Sequence, residues 1–306
     1  MNWNSRMDRL DELATFLAIL DSGSLAAAAR QLRRSPPAVT RSLATLEDRL
    51  GVRLLERTTR RLAATEAGRQ LAANARNVLA GYAEAMRAAE ADTTPRGTLR
   101  ITAPVVFGRK HITPLITGFL AAHPAVTVEL LLSDANQDLI EQGLDVAIRI
   151  GAQPDSGLIV RRVGQVRRLL VAAPDYLARH GSPASPEALA DHAVLLTTSR
   201  PGPAEWRFRQ GNRQRAVRLT PRLTVNDVEA TLTAARQGHG IASALSYQVA
   251  EDLAAGALTR LLPDWEPPPL PVQLLLPAAR HRPPRVRAFV AHAVRILDAE
   301  PVLRAP

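Results

Sequence analysis

Two adjacent prolines constrain this chain more than any other feature. Pro36 and Pro37 stand directly before an apolar run, in "RRSPPAVTRSLATLEDRLG" (33–51). Inside a helix, a proline costs roughly 3 kcal/mol, because it removes a donor and crowds the preceding turn. In the first turn the amide donors have no helical partner, so a missing N–H costs nothing and the fixed φ suits the helix. The prolines therefore open a helix. Ser35 is its candidate N-cap, Val39, Leu43, Leu46 and Leu50 give it one apolar face, and Gly51 closes it.

Two more helices precede it. In "DRLDELATFLAIL" (8–20), Leu10, Leu13, Phe16, Leu17 and Leu20 recur at helical steps. Gly23 suits a C-cap, and Ser24 can cap the short Ala-rich helix "LAAAARQL". The third helix begins with Ser35, Pro36, Pro37, Ala38 and Thr40, side chains small enough to let its tip enter a major groove closely. A helix N-terminus also favours phosphate. Arg33, Arg34 and Arg41 flank that tip and can neutralise phosphates. Next, "VRLLERTTRRLAATEAG" reads as two short strands, 53–57 and 60–64, around Thr58-Thr59. This is a hairpin wing with Arg57, Arg60 and Arg61 near its tip, suited to a narrow minor groove.

Charge agrees. The chain of 306 residues carries a formal +10, and every basic residue except Lys110 is arginine. Residues 30–61 hold nine Arg against Glu47, Asp48 and Glu56. A charge run alone is more often a solvated face. Joined to three helices and a wing, it points to DNA. Hydrophobic residues make up 46%, too many for a disordered chain, and 306 residues allow two or three domains. No cysteine is present, so disulfides, thiolate metal sites and a Cys nucleophile are excluded. No apolar run approaches the ~20 residues of a membrane span, and the first residues do not read as a signal sequence, so the expected location is cytoplasmic.

The stretch "FLAILDSGSLAAAARQLRRSPPAVTRSLATLEDRLGVRLLERTTRRLAATEAG" resembles the DNA-binding domain of LysR-type transcriptional regulators over nearly its whole length. One departure is visible. Many members carry glutamine where Pro36 stands, and glutamine can read a base edge. Proline cannot, which shifts sequence reading onto Thr40, Arg41, apolar contacts and DNA shape.

Residues 66–93 follow as a long helix capped by Thr65. Leu71, Val78 and Ala85 repeat every seven residues, as do Ala75, Tyr82 and Ala89, which makes a coiled-coil seam. A helix packed on its own domain is the alternative. The resemblance implies a dimerising linker, and a two-fold protein suits a dyad operator. "TTPRG" (93–97) is a hinge.

From Thr98 onward strands and helices alternate, as in an α/β fold. "LRITAP", "AVTVELLLS", "LDVAIRIG", "RRLLVAAP", "AVLLTTS", "WRFRQ", "AVRLTPRLTVN", "IASAL" and "EPPPLPVQLLLPA" read as strands. "FGRKHITPLITGFLAAHP", "DLIEQG", "DYLARHG", "DVEATLTAARQGHG" and "PPRVRAFVAHAVRIL" read as helices or helix ends. The segment resembles the effector domain of the same family: two Rossmann-like subdomains, similar to periplasmic binding proteins, here expected at 97–166 with 267–306 and at 167–266. The expected division is thus 1–65 winged helix-turn-helix, 66–93 linker and 94–306 effector domain.

Ligands in open α/β sheets sit beyond strand carboxyl ends. The candidates there are Thr102, Ala103 and Pro104, then Ser133 and Asp134, Arg149 and Ile150, and Asn226 and Asp227. The resemblance implies a small-molecule effector between the subdomains; hydroxyls and helix amides favour an anion. Each polar residue has a capping alternative, and Arg149 has a structural pairing with Asp134 or Asp145 as its own. No HExxH, GxSxG, P-loop or GxGxxG is present, and the seven histidines show no metal-ligand spacing, so neither an enzyme, a metal nor a cofactor is expected. "DANQD" (134–138) imitates a calcium loop, but Leu139 stands where glycine is needed. "RFRQGNRQR" (207–215) reads as a solvated hairpin. The expected partners are double-stranded DNA, a small effector and further copies of the chain in a dimer or tetramer, with RNA polymerase as a further candidate. A sequence-tolerant DNA-compacting protein and a small-molecule-binding module without a DNA role remain the alternatives.

Overall fold

The structure is a computed structural model; it describes residues 4–57, 62–89, 94–135, 138–153, 157–198, 204–278 and 282–304. The N-terminal unit packs α1 (Asn4–Ser22), α2 (Leu25–Gln31) and α3 (Pro36–Leu50) around Phe16, Ile19, Leu46 and Leu54, all essentially inaccessible to solvent. Ile19 lies outside the anticipated stripe, whereas Leu10, Leu13 and Leu20 are only half-buried. The Ser24 hydroxyl accepts a hydrogen bond from the Ala27 amide at 3.1 Å, an N-cap as expected. Gly51 ends α3 in the left-handed region at φ 69°.

Two details of α3 differ from the expectation. Ser35 stands at the N-cap with extended backbone, as expected, but its hydroxyl makes no capping bond. The prolines at the first two helical positions carry no N–H, and the Ala38 amide bonds to the Ser35 carbonyl instead (3.0 Å). Leu50, placed on the buried face by its spacing, is 44% exposed, because the chain turns away immediately at Gly51.

The wing is the antiparallel pair β1 (Leu55–Arg57) and β2 (Leu62–Ala64), with Leu55 opposite Ala64. Its first strand is shorter than the expected 53–57; Thr58, Thr59, Arg60 and Arg61 lie outside the described residues. α4 (Glu66–Ala89) starts where expected, with the Thr65 hydroxyl accepting from the Gly68 amide at 3.0 Å. Leu54 ties these pieces together. Its amide donates to Glu47 on α3 (2.7 Å), and its carbonyl accepts from the Thr65 amide (3.0 Å). Gly68 lies so close that a Cβ there would sit 2.1 Å from the Leu54 oxygen. Gly68→Ala is therefore expected to destabilise the N-terminal unit by about 1–3 kcal/mol. Gly81→Ala, on the same helix with open space around it, is expected to be stabilising by up to about 1 kcal/mol. Thermal unfolding of both variants checks the pair.

The remaining chain forms two five-stranded sheets. The first contains β3 (Gly97–Ala103), β4 (Val126–Leu132), β5 (Val146–Ile150) and β6 (Ile159–Val166), with α5 (Val105–Phe107) and α6 (Thr113–Ala122) between β3 and β4. The second is built from β7 (Arg168–Ala172), β8 (Val194–Thr197), β11 (Pro221–Val225), β12 (Ile241–Leu245) and β13 (Thr259–Leu261). With it come α7 (Pro174–His180), the hairpin β9 (Glu205–Gln210) and β10 (Arg213–Arg218), α8 (Val228–Arg236) and α9 (Ser246–Ala254). The chain then returns to the first sheet as β14 (Leu270–Leu276) and ends on α10 (Pro284–Leu297). The orders are β4-β3-β5-β14-β6 and β11-β8-β12-β7-β13. Phe119 and Phe289, from α6 and α10, meet edge-on at 5.4 Å in the first core.

Local departures have local causes. Between α5 and α6 the helix widens into a π-turn, Gly108–Ile112, directly before Pro114, which has no amide to bond an i−4 carbonyl. "DLIEQG" is not a helix end but a single turn: the Asp138 carboxylate accepts from the Ile140 and Glu141 amides, and Leu144 N–H closes onto the Leu139 carbonyl. "AVRLTPRLTVN" divides into β10 and β11, which belong to different sheets. β6, β13 and α9 were not legible in the sequence pattern. Among the described residues, no single helix is long and apolar enough to cross a membrane.

Candidate nucleic-acid interface and ligand cleft

The tip of α3 is open. Ser35, Pro36, Pro37, Thr40 and Arg41 are all exposed, while Val39 and Leu43 on the opposite face are buried. Thr40 donates its hydroxyl proton to the Pro36 carbonyl (3.0 Å) and stays exposed. Arg33 and Arg41 have no ion-pair partner among the described residues. Arg33 holds an unusual backbone, φ 53°. The turn after α2 needs a left-handed residue there: the Arg34 amide bonds to the Ala29 carbonyl (2.9 Å) and the Arg33 amide to Arg30 (3.2 Å). Glycine would fit with less strain, by roughly 1 kcal/mol.

Arg34 is placed differently from the sequence reading. Its guanidinium grips Asp11 through two hydrogen bonds, 2.5 and 2.7 Å, and also reaches Thr15. The Asp11 carboxylate raises its pKa above the ordinary arginine value. This side chain fastens the turn before α3 to α1. Arg57 ends β1, and its side chain lies outside the described residues, as do Arg60 and Arg61.

The linker seam divides in two. Ala75 is buried and Leu71 half-buried, both against the core of the N-terminal unit, and Arg76 pairs with Asp21 of α1 (2.5 Å). Val78 and Tyr82 are each 50% exposed, and Met86, which the heptad reading missed, is 53% exposed. Their steps of four place them on one face. The side chains of Ala85 and Ala89 lie outside the described residues.

In the α/β part, several predicted cleft residues do come together. The Ser133 amide donates to the Ala103 carbonyl (2.9 Å), and Asp134 accepts from the Val105 amide just after Pro104 (3.1 Å). Buried Arg149 donates to the carbonyls of Ser133 and Ala135 (both 3.3 Å) and Ile148 (3.4 Å). Desolvation lowers its pKa, and the Asp134 charge partly offsets that. Asp227 accepts from Ala230 (2.8 Å) as the N-cap of α8, and Asn226 beside it is exposed. Ile150 packs against the first core. Thr102 is fully buried, its hydroxyl without a hydrogen-bond partner. It shares a sheet face with its register partner Ala147, which packs with Leu139, Leu144 and Leu275.

Sequence reasoning missed the aromatic group that joins the subdomains. Tyr247 of α9 meets Phe107 edge-on at 5.2 Å and His111 at 5.6 Å, within the first core. Burial pushes the Tyr247 hydroxyl well above its ordinary pKa; the Gln248 amide opposes this, and the charges of Asp134 and Glu229 add to it. Val228, at the start of α8, also packs against the first core, whose Val105 turn holds the Asp134 carboxylate. Lys110 and Glu251 add a crossing ion pair at 3.0 Å. No motif carries such contacts; only the return of the chain brings them together. A cavity of about 540 Å³ lies elsewhere, under the β9–β10 hairpin, and none of the predicted cleft residues lines it.

Comparison with known proteins agrees with both halves. Residues 10–69 match the bacterial regulatory helix-turn-helix protein model of the lysR family, and residues 92–297 match the LysR substrate binding domain. The chain is 34% identical over 297 residues to a probable HTH-type transcriptional regulator, LtrA, of Klebsiella pneumoniae, covering 96% of each chain. It is 35% identical over 293 residues to the HTH-type transcriptional regulator PtxR of Pseudomonas aeruginosa, covering 95% of this chain and 94% of PtxR. Among solved structures, the full-length virulence activator AphB of Vibrio cholerae superposes with a TM-score of 0.62 at 28% identity, over 94% of this chain and 98% of AphB. CrgA of Neisseria meningitidis gives 0.60 at 31%, over 94% and 98%. A helix-turn-helix with an exposed third-helix tip, followed by a two-subdomain α/β unit and matched along its length by such regulators, makes this chain a member of the LysR family of bacterial transcriptional regulators.

Proposed function

We propose that this regulator reads a dyad operator through the tip of α3, with Thr40 and the apolar edges of Pro36 and Pro37 against base edges and Arg33 and Arg41 on flanking phosphates. The observation that carries this is the exposure of those residues together with two arginines that no carboxylate among the described residues holds. The left-handed Arg33 supports it: a strained non-glycine turn beside the tip keeps a cation where glycine would fold more easily. Ser35, Arg57, Arg60 and Arg61 are proposed as further DNA contacts, and Arg34 as the residue that sets the angle of the tip. The proposed division is 1–65 for reading, 66–93 for pairing and 94–306 for effector sensing.

The effector is proposed to bind between the subdomains, near Asn226, Asp227 and the Ser133–Asp134 loop, with Ala103, Pro104 and Ile150 beside it. Arg149 supports an anionic ligand: five donors meet three long carbonyl contacts. Thr102 enters the site only if its partnerless hydroxyl turns toward the ligand. A ligand that fits one arrangement of the subdomains better shifts dimers or tetramers toward it, and with them the spacing of the DNA heads. RNA polymerase is the proposed downstream partner, and the cytoplasm the proposed site of action.

The test is selection of genomic DNA fragments by the full-length protein near physiological salt, where non-specific binding is weakened. Recovery of a few dyad sites is expected. On such a site, Thr40→Ala is expected to cost about 1–3 kcal/mol of discrimination. Arg41→Ala is expected to weaken specific and non-specific binding alike and to flatten the salt dependence by about one unit of slope. Equal recovery of all fragments, or unchanged preference in Thr40→Ala, would overturn this placement of α3.

A further inference from the structure

The cavity under the hairpin has walls of unequal chemistry. Strand register sets its floor: Arg168 and Leu170 alternate onto one face of β7, and Leu170 is opposite Ser243 on β12 and Leu261 on β13. Trp206 and Phe208, the inward residues of β9, form the roof, and Trp265 closes one end. The floor and roof are thus apolar and aromatic, as in most small-molecule sites, and about 540 Å³ falls within the usual range of roughly 300–1,000 Å³.

Its lining carries two arginines and two carboxylates, and both carboxylates are already paired. Glu205 and Arg207 pair with each other at 3.0 Å. Glu266 is gripped by Arg260 through hydrogen bonds of 2.5 and 2.7 Å, with Arg167 at 3.9 Å. The Arg168 guanidinium has no hydrogen bond and no ion pair among the described residues. The residue is exposed and borders the cavity, and desolvation lowers its pKa. The Ser243 hydroxyl, on the same face, is buried without a partner. One unpaired cation and one unpaired hydroxyl beside two tryptophans form the complement of a carboxylate on a flat apolar body.

We propose that this cavity is a second ligand site, separate from the cleft between the subdomains, and that it takes an aromatic carboxylate. The carboxylate meets Arg168 and Ser243, and the ring system lies between the hairpin aromatics and Trp265. Because the hairpin belongs to the second subdomain and the far end of the cavity includes Leu270 at the start of β14, occupancy bears on the strand that joins the subdomains.

The probe is 2-naphthoate, titrated calorimetrically into the full-length protein, with neutral 2-naphthamide as control. The chain has three tryptophans, so in a Trp3→Phe background all indole fluorescence comes from Trp206 and Trp265. Saturable binding of one naphthoate per chain is expected, with fluorescence changing over the same concentration range. The amide is expected to bind at least tenfold more weakly, and Arg168→Gln to lower naphthoate affinity about 10–100-fold. Ser243→Ala, which loses no hydrogen bond within the protein, is expected to weaken binding several-fold with unchanged thermal stability. No saturation by millimolar naphthoate, equal binding of the amide, or binding without a fluorescence change would each overturn the site.

Discussion

Val78→Asp combined with Tyr82→Asp is expected to lower affinity for a dyad operator by about 10²–10⁴-fold, the range by which linking two binding modules multiplies affinity. The physical reason lies in the second half of α4. Its first turns are committed to the N-terminal core, where Ala72 and Ala75 are buried. Beyond them Val78, Tyr82 and Met86 form an apolar stripe with half of each side chain in water. Such a stripe on a long helix is stable when a second helix covers it. Two carboxylates on that face repel their symmetry mates and desolvate poorly. Being exposed, the substitutions should leave the fold of the single chain within about 0.5 kcal/mol of wild type. Sedimentation and operator binding measured side by side check this. A double variant that remains a dimer and binds its operator normally would move the pairing surface away from α4.

The reading half was legible because its signals are local. Pro36 and Pro37 open α3, Ser24 caps α2, Thr65 caps α4, and the structure has each in place. The failures there involve neighbours distant in sequence. Nothing near Arg34 indicated that Asp11, 23 residues earlier, would hold it. Nothing in the heptad pattern separated the part of α4 that covers its own core from the part that stays exposed.

The sensing half was less legible for the same reason, enlarged. Strands were found where apolar runs were continuous. The turn at 139–143 imitates a helix end, because an Asp and a following Gly serve both. Ser133, Asp134 and Asp227 are all engaged by backbone, as the capping alternative held. The Tyr247–Phe107–His111 contact and the cavity beneath the hairpin arise only from the double crossing between subdomains, and from strands paired out of chain order.

Glu47→Ala is expected to destabilise the N-terminal unit by about 2–4 kcal/mol, although Glu47 is not itself one of the apolar core residues. Its carboxylate accepts from the amides of Leu54 (2.7 Å) and Leu55 (3.2 Å), where the chain leaves α3 for the wing. Leu54 and Leu55 are buried and Glu47 is half-buried, so water replaces the lost acceptor only in part. Each abandoned amide costs about 1–3 kcal/mol. Glu47→Gln keeps an acceptor oxygen and is expected to lose about 1 kcal/mol or less, the difference between a charged and a neutral acceptor. Hydrogen exchange separates this from a general loss of stability: the Leu54 and Leu55 amides should lose protection first in Glu47→Ala. DNA affinity should fall for specific and non-specific sequences alike, because the wing and α4 both hang from Leu54. If Glu47→Ala unfolds at the wild-type temperature with those two amides still protected, the wing is held by its own strand pairing, and α3 and the wing are positioned independently.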